Sequence, residues 1–153
     1  MSTEQMIREF FLDSFNYTLR PNQLASLAGQ FRLERCGRRE LLQRKGEVPS
    51  KHYIVQQGLM RLYIVDHKDR EFNIMFAREG QGVCDPAFPD PTEFYLEAIE
   101  DSAVYTIELP RLEHFIQEHE IIFDLENGLR NAYRGIQNRL ASLLYKPAED
   151  NYL

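Results

Sequence analysis

Cysteine, positive charge and long apolar runs are all scarce in this chain. Its 153 residues include two cysteines, Cys36 and Cys84, too few for a disulfide scaffold. No N-terminal apolar run follows a basic stretch, so nothing signals secretion, and a reducing cytoplasm is the expected setting. Lysine and arginine number 18 against 24 aspartates and glutamates, giving a formal net charge of −6. Polyanion binders carry a basic field, so this chain alone is not expected to hold DNA. No stretch approaches the roughly 18 apolar residues that span a bilayer, so no membrane partner is expected, and no solenoid-length repeat or low-complexity tract occurs. With 43% hydrophobic residues, one domain with a proper core is expected.

The apolar pattern has three parts. In STEQMIREFFLDSF, Met6, Ile7, Phe10, Phe11 and Phe15 recur at helical steps, and Ser2 with Gln5 has the spacing of a capping box. Pro21 opens a second short helix, PNQLASLAGQF, with Leu24, Leu27, Ala28 and Phe31 as its stripe, before Gly29 and the basic run RLERCGRRE loosen it. From 32 to 108 the period becomes two: RELLQR, KHYIVQQG, LMRLYIVD, REFNIMFA, EFYLEAIE and AVYTIE alternate with turns at Gly46, Pro49, Gly58 and DHKD. Many short strands predict a sandwich or barrel. After Pro110, Leu112, Phe115 and Ile116 mark a further helix. Ile122, Leu125, Leu129, Ala132, Ile136, Leu140 and Leu143 then form a narrow seam, ended by Pro147. A seam of that length predicts a long helix that pairs with a second copy.

Between two strand patterns lies EGQGVCDPAFPDPTEFYLEA, residues 79–98, with two glycines, three prolines and the acids Glu79, Asp85, Asp90, Glu93 and Glu97. Long irregular segments inside compact domains usually carry function, so this loop is the first candidate site.

Helices, a small antiparallel barrel with a Pro/Gly-rich loop near its end, then one long helix: this order resembles the effector domain of the Crp/Fnr regulators. The resemblance rests on KGEVPSKHYIVQQGLMRLYIV at 45–65, EAIEDSAVYTIELPRLEHFIQEH at 97–119 and the long helix pattern that follows. It implies a mainly β fold with flanking helices, a double-stranded β-helix (jelly roll) of the cyclic-nucleotide-binding type, plus a long C-terminal dimerisation helix. It also implies a phosphate-binding cassette, which in that family runs Gly-Glu, a few residues, then Arg-Ser-Ala. Here Gly82 and Val83 lead to Cys84 and Asp85 near the Gly-Glu pair, while Thr92, Glu93 and Phe94 fall at Arg-Ser-Ala. The acid is shortened and the arginine is gone. On the long helix, Gln137 and Asn138 fall where family members offer polar groups to the nucleotide base.

A cyclic phosphate in a barrel needs a fixed cation or several aligned donors. Thr92 offers one hydroxyl, and Asp85, Asp90, Glu93 and Glu97 would repel a phosphate. Ordinary cyclic AMP is therefore expected to bind weakly or not at all, and sequence cannot place Arg61, Arg78, Arg130 or Arg134 near the pocket. An aromatic-lined pocket for a flat effector is a weaker alternative, because alternating Phe72, Ile74 and Phe76 read more simply as core.

No enzyme chemistry and no cofactor are expected. A cupin-like metal barrel needs His-X-His with downstream ligands, whereas His52, His67, His114 and His119 have no ligand spacing and are expected at the surface. Cys84, among acids, is expected to be inert, and two cysteines cannot ligate an Fnr-type iron–sulfur cluster. The expected organisation is helices over 1–31, barrel over 32–109, late and dimerisation helices over 110–147, and over 148–153 the start of a linker to a helix-turn-helix domain absent from this chain. The expected function is effector sensing in a homodimeric regulator that reaches DNA only through that absent domain. The alternatives are a ligand-free dimerisation or protein-interaction module and, third, a cupin-like metal enzyme.

Overall fold

A computed structural model describes residues 2–121 apart from 84 and 86. The first helix, α1 (Thr3–Phe15), starts where the capping box is expected: Gln5 N donates to Ser2 Oγ at 3.2 Å and Ser2 N donates to Gln5 Oε1 at 3.1 Å. It stops at Asn16, whose left-handed φ of 52° turns the chain. Pro21 opens α2 (Pro21–Ala28), where its missing N–H costs no helical bond.

Eight strands follow: β1 (Arg32–Cys36), β2 (Leu41–Gln43), β3 (Lys51–Gln57), β4 (Met60–Val65), β5 (Glu71–Ala77), β6 (Gly82–Val83), β7 (Tyr95–Ala98) and β8 (Ser102–Glu108), then α3 (Leu109–Glu118). They form two antiparallel four-stranded sheets, ordered β1-β8-β3-β6 and β2-β7-β4-β5, which is the jelly-roll arrangement. Two strands escape the sequence pattern. RLERC has no strict alternation and is β1, paired with β8 from Arg32↔Thr106 to Cys36↔Ser102. β6 has two residues and is specified by its partners, Tyr53↔Val83 and Ile54↔Gly82.

The first sheet separates two cores. Tyr53 and Val55 of β3 point into the barrel with Met60, Leu62, Val83, Phe94, Leu96 and Val104. Ile54 of β3 and Ile107 of β8 point the other way, onto Met6, Phe10, Phe11, Leu24, Leu27, Leu112 and Phe115 from the three helices. A strand buried on both faces reads as a continuous apolar run, as HYIV does.

Two expectations change here. His52 is not at the surface: it is 3% exposed, on the helix side of β3, with its ring 4.4 Å from that of Phe10. Phe72, Ile74 and Phe76 do not form one core row. A register shift opposite Leu62 and Tyr63 breaks the alternation of β5, leaving Ile74 buried and Phe76 exposed on the outer face. Among the described residues, no helix is long and apolar enough to cross a membrane. The seam from Ile122 to Leu143 lies outside the described residues.

Candidate ligand-binding site

The later half of the segment joining β6 to β7 arches back to the turn between β2 and β3. Gly46 N donates to Thr92 O at 2.9 Å and Thr92 N donates to Glu47 O at 2.8 Å, so the later half of the loop is stitched to that turn like an added ladder. Asp90 N donates to Ala87 O at 2.7 Å, and the Phe88–Pro89 peptide is cis.

Under this arch lies a buried polar network centred on Asp85. Asp85 and Thr92 are 4% and 1% exposed. Asp85 Oδ2 accepts from Gln43 Nε2 at 2.6 Å and from Thr92 Oγ1, while Oδ1 accepts from Ala87 N at 2.9 Å. Thr92 Oγ1 accepts in turn from Phe94 N at 3.0 Å, and Gln43 Nε2 also reaches Phe94 O at 3.4 Å. Buried polar groups are costly unless paired, and here each of these donors finds an acceptor within the same loop.

The candidate positions therefore separate. Asp85, Thr92 and the Phe94 backbone meet in one network. The Phe94 side chain and Val83 join the barrel core. Gly82 faces the helices, where a Cβ would stand 2.9 Å from the Phe10 ring. Glu93 is exposed and pairs with Lys45 at 3.4 Å. Cys84, Gln137 and Asn138 lie outside the described residues, as do Arg130 and Arg134. Gln43 belongs to the network without any signal in the sequence. A register shift between Leu41 and Gln43 turns it inward, where strict alternation would place it on the same face as half-buried Leu41.

Neither of the two described arginines considered as phosphate anchors joins this network. Arg61 alternates with the inward Met60 and Leu62 and so faces outward. Its guanidinium bonds Glu97, Glu71 and Asn73, each at 3.0 Å, and lies 4.0 Å over the Tyr63 ring, which stacks on Tyr95. Burial alone would lower the Arg61 pKa, but the hydrogen bonds to Glu97 and Glu71 outweigh it and raise it. Arg78 is exposed on the β5–β6 turn, where its backbone N donates to Gln81 Oε1 at 2.9 Å. Among the described residues of the loop, the backbone donors of Ala87, Asp90, Thr92 and Phe94 are engaged within the fold.

Other titratable groups inside the fold are quiet. Burial, helped by Glu34, Glu47 and Cys36, pushes the Tyr53 hydroxyl up to about 12. Burial, with Glu40, Glu34 and Asp101, raises the Cys36 thiol above its ordinary value and keeps it protonated. Among the described residues no three His, Cys, Asp or Glu side chains gather as a metal site would require.

Among the described residues, two antiparallel four-stranded sheets form the barrel and the helices pack on the first of them. The chain belongs to the cyclic nucleotide-binding domain family, whose pattern matches residues 33–119. No curated protein sequence matches it. Among solved structures, the N-terminal domain of a transcriptional regulator from Streptomyces coelicolor A3(2) is 16% identical with a TM-score of 0.63, covering 94% of this chain and 93% of that one. The catabolite activator protein of Thermus thermophilus is 14% identical with a TM-score of 0.59, over 87% of this chain and 57% of that one. The regulatory subunit of a cAMP-independent protein kinase A from Trypanosoma cruzi, bound to guanosine, is 12% identical with a TM-score of 0.65, over 94% and 51%. The chain thus spans little more than half the length of the last two, and the likeness is one of fold.

Proposed function

We propose that this chain is the effector-sensing and dimerisation domain of a Crp/Fnr-like transcriptional regulator, that it performs no catalysis, and that its effector is not ordinary cyclic AMP. The observation that carries the reading is the buried network of Asp85, Thr92 and Gln43, whose side-chain donors are taken up within the network itself. In the full reading, Ile122, Leu125, Leu129, Ala132, Ile136, Leu140 and Leu143 form the seam of a homodimer, and Gln137 and Asn138 reach the effector near that seam. Ligand in the barrel then biases how the paired helices sit. That requires different affinities for two arrangements, because an indifferent ligand shifts nothing. The likeness to the Streptomyces coelicolor and Thermus thermophilus regulators supports this role.

The internal satisfaction of the loop also favours a second reading, a dimerisation or protein-interaction module that takes no ligand. Native mass spectrometry separates the two. The proposal expects a dimer that ignores cyclic AMP and cyclic GMP yet carries another small molecule, either as isolated or after addition of phosphate-free nucleosides. A dimer that takes up nothing from such a panel supports the second reading, and a monomer at micromolar concentration refutes the dimer seam.

A further inference from the structure

Where β3 runs into the turn at Gly58, the first sheet sets Arg35, Ala103 and Gln57 side by side. Arg35 of β1 pairs with Ala103 of β8, and the irregularity after Val55 brings Gln57 of β3 opposite Ala103 from the other side. A methyl between two long side chains leaves a dip in the sheet surface. Together with Gly37, Asp101 and Ser102 these residues line a cleft of about 450 Å³, a size within the range of small-molecule sites. A Cβ at Gly37 would meet nothing within 4 Å, so the cleft is open on that side. Hydrogen bonds among three turns hold its rim. Arg38 N donates to Asp101 Oδ1 at 2.8 Å and Arg39 N to Ala98 O at 2.7 Å, while Leu59 N donates to Ser102 Oγ at 3.2 Å and that hydroxyl to Glu100 O at 2.8 Å. The cleft also carries charge of both signs. Arg35, Gln57 and Asp101 are all exposed, and among the described residues the Arg35 guanidinium and the Gln57 amide have no polar partner, while Asp101 uses only Oδ1.

A lone anion drawn to Arg35 meets the Asp101 carboxylate, and a lone cation drawn to Asp101 meets the Arg35 guanidinium, so each is opposed by one side of the cleft. A molecule that carries both charges close together is opposed by neither. We propose that this cleft is a binding site for a zwitterion of the α-amino-acid class. The ligand carboxylate lies on Arg35, whose fork of N–H donors matches a planar carboxylate, with the Gln57 amide donating beside it. The ligand ammonium lies on Asp101 Oδ2, and its side chain lies over Ala103. Strand pairing fixes Arg35, Ala103 and Gln57, and the bond from Arg38 N fixes Asp101, so the site is formed before the ligand arrives. It uses none of Gln43, Asp85 or Thr92, and therefore stands whether or not the barrel takes an effector.

Amide chemical shifts of the chain, followed through titrations with L-serine, L-leucine, L-glutamate, acetate and methylamine, test this. At least one amino acid is expected to shift the Gly37, Gln57 and Ala103 amides in a saturable way, with acetate and methylamine each at least about tenfold weaker, because each supplies only one of the two charges. Arg35→Gln and Asp101→Asn are each expected to weaken that amino acid about threefold or more, the size of effect that an exposed ion pair carries. Both replace exposed side chains, and asparagine keeps an acceptor for Arg38 N, so the fold is retained. Absence of saturable shifts with all three amino acids overturns the inference. Acetate that binds as tightly as the amino acids overturns the zwitterion and makes the cleft a plain anion site. Shifts confined to residues 85–94 place the ligand in the barrel and overturn the second site, and affinities unchanged in both variants overturn the roles of Arg35 and Asp101.

Discussion

His52 makes acid sensitivity a sharp test of the helix layer. Its ring is buried between β3 and α1, tilted against Phe10, and neither ring nitrogen has a hydrogen-bond partner among the described residues. Desolvation pulls its pKa from 6.5 down to about 4. The folded chain therefore keeps His52 neutral where the unfolded chain takes up a proton. This contribution to stability is fully present above pH 6.5, falls as pH drops from 6.5 to 4, and levels off below 4, where the folded state binds the proton too. A pKa displaced by one pH unit corresponds to about 1.4 kcal/mol, so lowering the pH from 7 to 4.5 removes about 2.5 kcal/mol through this group alone. Urea unfolding at pH 7, 6, 5 and 4.5 on the wild type and on His52→Leu isolates the effect, since carboxylates titrate alike in both. The variant is expected to equal or exceed the wild type at pH 7, because it removes an unpaired buried donor worth about 1–3 kcal/mol. Its advantage should then grow by about 2.5 kcal/mol on reaching pH 4.5. Parallel pH profiles for the two proteins would refute the reasoning, and would mean that His52 finds a partner or solvent.

Single contacts supply further tests. Gly58 sits at φ +110°, and a Cβ there would stand 2.8 Å from the Ser102 Cα, so Gly58→Ala should cost upwards of about 2 kcal/mol in chemical denaturation, combining backbone strain and overpacking. Gly82→Ala drives a methyl to within 2.9 Å of the Phe10 ring and should lower stability by about 1–3 kcal/mol, with partial relief in the double variant Gly82→Ala, Phe10→Leu. Arg61→Lys loses the forked bonds to Glu97, Glu71 and Asn73 and the stacking on Tyr63. It should cost about 1 kcal/mol while leaving ligand affinity within about twofold, whereas a roughly tenfold loss of affinity would make Arg61 part of the site. Spectroscopic titration should find one tyrosine, absent in Tyr53→Phe, that ionises at about 12; if every tyrosine titrates at its ordinary value, Tyr53 is not buried as described.

Elements whose signals are local could be read from the chain alone. The capping box at Ser2 and Gln5, Pro21 at the start of α2, and the stripes Met6–Ile7–Phe10–Phe11 and Leu112–Phe115 depend on near neighbours along the chain, and all appear in the fold. The doubly buried run HYIV and the turns around Gly58 and Asp66–Arg70 were legible for the same reason. Sequence also pointed to the loop between β6 and β7 as a candidate site, because its glycines, prolines and acids are matters of composition and order along the chain, while the missing arginine there followed only from the family resemblance.

Register and partners distant in sequence settled the rest, and these exist only once the chain has folded. β1 and β6 carry too little pattern of their own and form because β8 and β3 pair with them. Irregularities at Leu41/Gln43 and Leu62/Tyr63 send Gln43 inward and Phe76 outward, and a shift of one residue reverses the face of a strand side chain without changing the sequence pattern. His52 is buried because α1, from the far N-terminal end of the chain, lays Phe10 across β3. The Asp85 network likewise joins Gln43 of β2 to Asp85 and Thr92 of a loop that comes four strands later. The acids of this loop therefore read from composition only as repelling a phosphate, and only the fold makes Asp85 an acceptor for both Gln43 and Thr92.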